Sequence, residues 1–513
     1  MRPITHWVEQ HALRRPDAEA LVDLGSGTRV SYGVLWNRIR SVAHALQRDC
    51  QVAVGDRVAI LSRNDSRVIE AMYACALLGA IAVPLNWRLA PTELAQVCRD
   101  AEPRVILAED AQASVCAQVR ALDPHLPPVV SWSSNRVARD GYDLMADAGV
   151  PDGWAPTDVD EEAVWTIIYT SGTTGRPKGV QTTHRAALAS MLGILVAHGI
   201  SADSRGLTVL PTFHVAGLNL FTNPILFAGG SVLLARAFDS VQALHLLREA
   251  EPAVTHFCGV PANYQFIERL TEFESRPLRP FVAVVGGSPV PPSLLASWRE
   301  RGVPLSAVFG ITEAGACVTA VPPAADPGVS GAVGLPVLHA RCRVQDVNGS
   351  DLDLGQIGEL QISGDVVSVG YWRNQEATES AFTRDGWLRT GDAAAIREDG
   401  QVVLVDRWKD MYISGGENVY PAEVENVLTD HPGVAQAAVV GVPDPKWGET
   451  GVAFVMAAAD AVLEEAEVRA FCLERLARFK VPGRVVVVQD FPRNATGKTL
   501  KGELRTRLSD RVD

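Results

Sequence analysis

Short apolar runs rich in β-branched residues alternate with stretches of helical period along the first part of the chain. Residues 57–61 read as a strand and 68–78 as the helix that follows; 104–107 with 114–122 repeat the pattern, and 281–285 returns to it. Apolar strands separated by helices predict α/β layers with parallel strands. From about Gly331 the texture changes to short strands between glycine turns, at 340–344, 359–363 and 402–405, which predicts a small β-barrel-like subdomain. Beyond Lys409-Asp410 a fresh unit begins, with elements at 423–428, 437–440, 452–456, 464–476 and 485–488 that suggest a compact α+β lid. A chain of 513 residues is too long for one compact domain. The expected fold is α/β: a large N-terminal domain over 1–408, of layered α/β subdomains plus the barrel-like one, and a small α+β C-terminal domain over 409–513.

The densest local signal lies at residues 169–180. Ser171, Thr173 and Thr174 stand between Gly172, Gly175 and Gly179, and Pro177 and Lys178 follow. The run 164–168 before them reads as a strand, and the residues from Thr183 onward as a helix. A glycine-rich link between strand and helix crowds backbone N–H groups around an anion, and hydroxyls and a lysine add donors and charge. This is the composition of a triphosphate-gripping loop. It is not a Walker A loop, because Lys178 follows a proline. The chain's one Gly-Lys-Thr run, Gly497-Lys498-Thr499, has Pro492 where that pattern needs its first glycine.

The same run resembles the phosphate loop of the adenylate-forming superfamily: acyl-CoA synthetases, luciferase-like enzymes and peptide-synthetase adenylation domains. Six further matches follow in the family's order: Pro211-Thr212-Phe213-His214, Gly286-Gly287-Ser288-Pro289, Phe309-Gly310-Ile311-Thr312-Glu313, Trp387-Leu388-Arg389-Thr390-Gly391-Asp392, Asp406-Arg407-Trp408-Lys409-Asp410, and Pro492-Arg493-Asn494-Ala495-Thr496-Gly497-Lys498. They span most of the chain and are closest to acyl-CoA synthetases. The resemblance implies that a carboxylate attacks the α-phosphorus of ATP, pyrophosphate leaves, and the acyl-adenylate passes its acyl group to CoA, giving acyl-CoA and AMP.

Residue by residue, the resemblance gives these expectations. Lys498 would neutralise charge between the carboxylate and the α-phosphate, a task suited to a compact ammonium with three donors. Thr312 would sit beside the α-phosphate, and Glu313 would help bind Mg²⁺ on the triphosphate. Thr170, Ser171, Gly172, Thr173, Thr174, Gly175 and Lys178 would hold phosphates. Gly287, Ser288, Phe309 and Gly310 would flank the adenine, with Phe309 standing where tyrosine is usual. Asp392 would accept both ribose hydroxyls, with Arg407 as its partner. Asp406 departs from the usual glycine before that arginine. His214 would orient or gate the acid, walled by Phe213, Asn219, Cys258, Gly287 and Gly310. That mix of small and aromatic residues suits a modest apolar or aromatic acid. Lys409 would be the hinge of a mobile lid. Its rotation would present first Lys498, then the loop of Gly415 and Gly416, with Arg88, Trp447 and Phe479 near the CoA nucleotide.

Composition narrows the setting. A formal charge of −13 disfavours an extended nucleic-acid surface. The eight cysteines show no CxxC pair and no metal spacing, so free thiols in a reducing compartment are expected. The N-terminus lacks the apolar core of a signal peptide, and no apolar segment reaches the roughly 20 residues of a spanning helix. A cytoplasmic enzyme without stable membrane insertion follows, with room for a homodimer. Two alternatives stay open on these motifs: an amide ligase that passes the acyl-adenylate to an amine, and a silent ligand-binding homologue. The latter would be expected to lose Lys498, Glu313 or Asp392, and all three are present.

Overall fold

The computed structural model describes residues 6–133, 141–170, 177–322, 331–407, 410–414, 417–445, 447–458, 461–493 and 499–509. Its contacts divide the chain into two compact units. One comprises Met1–Gly328, Val333–Cys342 and Ile362–Leu388; the other comprises Val329–Ala332, Arg343–Gln361 and Arg389–Asp513.

The first unit is built on two largely parallel sheets. In the smaller, the strands run in the order Val129–Trp132, Pro103–Glu109, Arg57–Leu61, Ile81–Leu85, Val164–Thr170, Lys178–Thr183. All its pairings are parallel except the last. In the larger, strands Glu19–Asp23, Ser231–Leu234, Arg205–Thr208, His256–Gly259, Val282–Val285 and Leu305–Phe309 are neighbours, every pairing parallel. Parallel strands buried on both faces read as continuous apolar runs, which is why the sequence marks them clearly. Leu207, Phe257, Val285 and Trp298 belong to one core; Leu61, Val83, Ile106 and Ile167 belong to the other. The helix Ser66–Leu78 is buried at every position. Asp65 caps its start and Gly79, at φ 68°, ends it in the left-handed region.

The phosphate-loop segment departs from the expected strand–loop–helix. Residues Lys178–Thr183 form a second strand, antiparallel to Val164–Thr170, with Thr170 opposite Lys178. The helix begins only at His184, where the Thr183 hydroxyl accepts the Ala186 N–H. The cause is a distant partner. The Trp372 N–H donates to the Gly179 carbonyl at 2.7 Å and the Gln181 N–H to the Gly370 carbonyl at 3.0 Å. A chain segment nearly two hundred residues away therefore holds 179–181 extended.

In the second unit, strands Arg341–Gln345, Gly358–Ser363, Leu388–Ile396 and Val402–Arg407 follow one another in pairing order. They form an open arrangement, with no closed barrel among the described residues. The α+β portion pairs Val434–Asp444 with Gly448–Ala457 as a long hairpin and adds Arg484–Val487 in parallel. Helices Pro421–Thr429 and Glu465–Leu473 cover it through Val424, Leu428, Val468 and Cys472. All eight cysteines are free. Among the described residues no helix is long and apolar enough to cross a membrane.

Candidate active site

The larger sheet assembles the expected acid-pocket residues at one edge. Four neighbouring parallel strands end in sequence positions far apart. After Arg205–Thr208 come Phe213 and His214; His256–Gly259 carries Cys258; Val282–Val285 runs into Gly286-Gly287; Leu305–Phe309 runs into Gly310. Because the strands are parallel, these ends share the carboxyl edge, the usual ligand side of an α/β sheet. Phe309 is buried at the end of its strand. Gly310 is required by packing, because a Cβ there would meet the Ala316 carbonyl oxygen at 1.9 Å. Gly287 has φ 82°, a conformation that favours glycine, and Ser288 beside it is exposed.

His214 caps the short helix Val215–Asn219, its Nδ1 accepting the Ala216 N–H at 3.2 Å. That contact makes Nδ1 the acceptor and leaves the proton of a neutral ring on Nε2. Burial lowers the ring's pKa to about 4, so His214 is neutral at ordinary pH. Its loop is clamped by Asn64, which sequence reasoning missed. The Asn64 amide donates to the Leu210 and Ala235 carbonyls, each at 2.9 Å, and its oxygen accepts the Thr212 N–H at 2.8 Å. Asn219 is tied inward: its oxygen accepts from Asn223, which in turn accepts the Tyr73 hydroxyl. Cys258 is buried and its thiol pKa is pushed up by that burial. Arg88, expected near the CoA nucleotide, lies over Trp87 at 5.0 Å and over Phe213 at 5.8 Å from the ring centroids.

Around the phosphate loop the described residues are its two flanks. Residues 171–176, with Ser171, Gly172, Thr173, Thr174 and Gly175, lie outside them. Thr170 and Lys178 face each other across the base of the hairpin, and the Thr170 hydroxyl donates to the Lys178 carbonyl at 3.4 Å. Thr312 and Glu313 occupy a tight turn, Thr312–Ala314, directly after Gly310 and Ile311. Thr312 is buried; Glu313 is half-buried and accepts the Tyr371 phenol at Oε1, 2.7 Å. Tyr371 was not anticipated; its only local signal is an aromatic pair, Tyr371-Trp372, directly after Gly370. Burial, then the Glu313 carboxylate, raise the phenol's pKa, so it stays a donor. Among the described residues no group of three or more His, Cys, Asp or Glu side chains could hold a metal ion. A single hard carboxylate such as Glu313 nevertheless fits Mg²⁺, which is commonly held by one or two carboxylates plus phosphate oxygens and waters.

In the second unit, Asp392 is buried on strand Leu388–Ile396, its own N–H donating to the Thr390 hydroxyl. The backbone register sets Arg407 directly opposite it. Lys409, Gly415 and Gly416 lie outside the described residues, as does Lys498. The base of the Lys498 loop is defined: Arg493 pairs with Thr499, and the Leu500 N–H donates to the Pro492 carbonyl at 2.8 Å. Either side of the expected hinge is anchored. Asp406 accepts the Ala422 N–H at the start of helix Pro421–Thr429, and Asp410 pairs with Arg505 at 3.3 Å. Thus Asp406 works as a helix cap where the family usually has glycine. Phe479 packs against the core of this unit, and the Trp447 N–H donates to Asp444.

Two largely parallel sheets followed by a smaller α+β portion are the architecture expected of the adenylate-forming class. The family models agree: AMP-binding enzyme matches residues 8–372 and AMP-binding enzyme C-terminal domain matches 423–498. The chain belongs to the AMP-binding enzyme family. It is 37% identical to a feruloyl-CoA synthase of Amycolatopsis sp. over 98% of both chains. It is 34% identical to the long-chain fatty acid–CoA ligase FadD13 of Mycobacterium tuberculosis over the whole of both. Its fold is similar to the ATP-bound crystal structure of MatB from Rhodopseudomonas palustris, with a TM-score of 0.90, 30% identity, and 99% and 100% of the two chains covered.

Proposed function

We propose that this protein is an AMP-forming acid–CoA ligase acting on an apolar or aromatic carboxylic acid. ATP and CoA are its co-substrates; Mg²⁺ is typical of the family. The observation that supports the choice of acid is the carboxyl edge of the larger sheet, with Phe213, His214, Cys258, Gly287 and Gly310 near the ends of neighbouring parallel strands. The relatives named for feruloyl and long-chain fatty acyl transfer support the same class of acid.

In this reading the chain divides the labour in two. The first unit binds. His214, neutral and donating from Nε2, orients the carboxylate without adding charge. Thr312 and the phosphate loop hold the triphosphate, and Glu313 would hold Mg²⁺, which would offset charge on the phosphates. Asp392 and Arg407, on strands of the second unit that still belong to domain 1–408, bind the ribose, and Lys498 of domain 409–513 meets the charge that develops as the α-phosphorus becomes five-coordinate. Lys409 is the hinge between domains 1–408 and 409–513. Its rotation replaces Lys498 by the Gly415-Gly416 loop, along which pantetheine passes to the adenylate. Arg88, Trp447 and Phe479 then meet the CoA nucleotide. A cytoplasmic location and a homodimer belong to the same reading; eight free thiols support a reducing compartment.

The test is a product mass spectrum after incubating the enzyme with ATP, Mg²⁺, CoA, a panel of amines and a carboxylic-acid library. Acyl-CoA and AMP accumulating with an aryl or fatty acid is the expected result. Amides forming equally without CoA would overturn the thiol acceptor, and turnover confined to short hydrophilic acids would overturn the pocket.

A further inference from the structure

Tyr371 lies where three chain segments meet in the first unit. Its backbone pairs with Val180 of the phosphate-loop hairpin. The hairpin's Lys178 ammonium stands 5.1 Å from the centre of its ring. Its hydroxyl reaches the third segment, donating to Glu313 Oε1 at 2.7 Å. The same segment binds the Glu313 turn a second time, through the Ser368 N–H to the Glu313 carbonyl at 2.8 Å. Tyr371 is itself fixed, its N–H donating to the Thr378 hydroxyl at 2.9 Å.

We propose that Tyr371 is a positioning residue for nucleotide–metal binding, holding the Glu313 carboxylate and the Lys178 ammonium in one fixed arrangement. The proposal rests on the reading of Glu313 as the Mg²⁺ ligand. A carboxylate on a tight turn has free rotation about its side-chain bonds, and a metal ligand that must be ordered on binding loses affinity. The phenol removes that freedom for one oxygen. A phenol donor also suits the task because it leaves the carboxylate charged, whereas a lysine or arginine in its place would neutralise the charge that the metal needs. The ring face does the complementary work on Lys178. A cation over an aromatic face is attracted without being neutralised, so the ammonium keeps its charge for phosphate. One side chain thereby aligns an anion for the metal through its hydroxyl and a cation for the phosphates through its ring face.

The experiment uses the full-length protein and Mn²⁺ as the paramagnetic probe, titrated by electron paramagnetic resonance in the presence of α,β-methylene-ATP. Tyr371→Phe keeps the ring and removes the hydroxyl. It should weaken Mn²⁺ binding about tenfold, the effect of losing one hydrogen bond to a charged group, with the nucleotide affinity measured without metal unchanged. Glu313→Gln should weaken Mn²⁺ binding further, and the double variant should bind as Glu313→Gln alone does, because the phenol acts only through that carboxylate. Tyr371→Leu removes the ring as well and should also weaken nucleotide binding without metal. Thr378→Val loosens the Tyr371 backbone but keeps the phenol; it should shift the melting temperature and weaken Mn²⁺ binding clearly less than Tyr371→Phe does. Wild-type Mn²⁺ binding by Tyr371→Phe overturns the proposal, as does an equal loss in Thr378→Val or full additivity in the double variant. If Glu313→Gln itself binds Mn²⁺ normally, the metal role of Glu313 falls and that of Tyr371 with it. The ligase assignment, judged by the product spectrum, is unaffected by that outcome.

Discussion

The two units place their chemistry on different kinds of scaffold. In the first, Phe213, His214, Cys258, Gly287, Gly310 and Glu313 stand at or just beyond the ends of parallel strands, so each position is fixed by a sheet that other parts of the chain complete. In the second, the Lys498 loop is closed by neighbours within eight positions of one another, through the Arg493–Thr499 bridge and the Leu500–Pro492 hydrogen bond. Its supports are charges: Lys501 with Glu425 at 2.7 Å, and Arg505 with Asp410. Burial pulls the Lys501 pKa down, but the Glu425 and Asp406 carboxylates outweigh it and hold the ammonium charged. A site at sheet ends resists displacement because moving one residue disturbs several strands. The two scaffolds differ in what holds them: pairing between distant strands in the first, short-range closure and ion pairs in the second.

The largest test of this contrast removes the presented group. Lys498→Ala should lower adenylate formation by on the order of 10²–10³ while sparing thioester formation from supplied acyl-adenylate. Lys409→Pro should do roughly the reverse, because a fixed φ hinders the hinge. Rapid-quench assays of each half-reaction decide it; equal loss of both steps in both variants would break the division of labour.

Next in size is the charge support of the lysine loop. Lys501→Met leaves the half-buried Glu425 without its cation and should destabilise the second unit by about 1–3 kcal/mol. Denaturant unfolding followed by fluorescence should then show this unit melting ahead of the first. A single unshifted transition would mean that the pair contributes little.

Gly310→Ala asks the same question of the sheet edge. The new methyl group would meet the Ala316 carbonyl, and the backbone shift should cost about 1–3 kcal/mol and weaken ATP binding at the adjoining Thr312 turn. An unchanged melting temperature with unchanged ATP affinity would show the edge to be compliant.

The smallest effect concerns pH. Burial holds His184, His198 and His214 each at a pKa of about 4. In the unfolded chain a histidine titrates near 6.5, so between these values the unfolded state binds more protons. Stability contributed by the neutral rings is therefore complete above about pH 6.5 and is lost as pH falls toward 4. His214→Gln should flatten part of that loss in melting curves taken across this window. The half-reaction that forms adenylate should also lack an acid limb near 6.5 assignable to His214.

Much of the fold and site was legible because its signals are local. The apolar β-branched runs at 57–61, 104–107 and 281–285 mark strands whatever surrounds them. The motifs from Gly172 to Lys498 carry glycines, hydroxyls and charges in an order that identifies the family. Asn64 was not legible, since an asparagine between a strand and a helix reads as a turn, and its three bonds reach residues more than 140 positions away. The same holds for the strand Lys178–Thr183, whose sequence is polar enough to read as the run-up to a helix.

The sequence by itself determined the family, the α/β alternation, the change of texture near Gly331 and the residue types available for adenylation, because composition and spacing are properties of the chain. Only the tertiary structure decided that the residues flanking the glycine-rich run pair as antiparallel strands, that the strands after Gly331 form no closed barrel among the described residues, and that Tyr371 joins Glu313 to Lys178. Those outcomes depend on which distant backbone edges and side chains meet. No local pattern records that, because hydrogen bonds across a sheet are formed between segments whose separation along the chain is arbitrary.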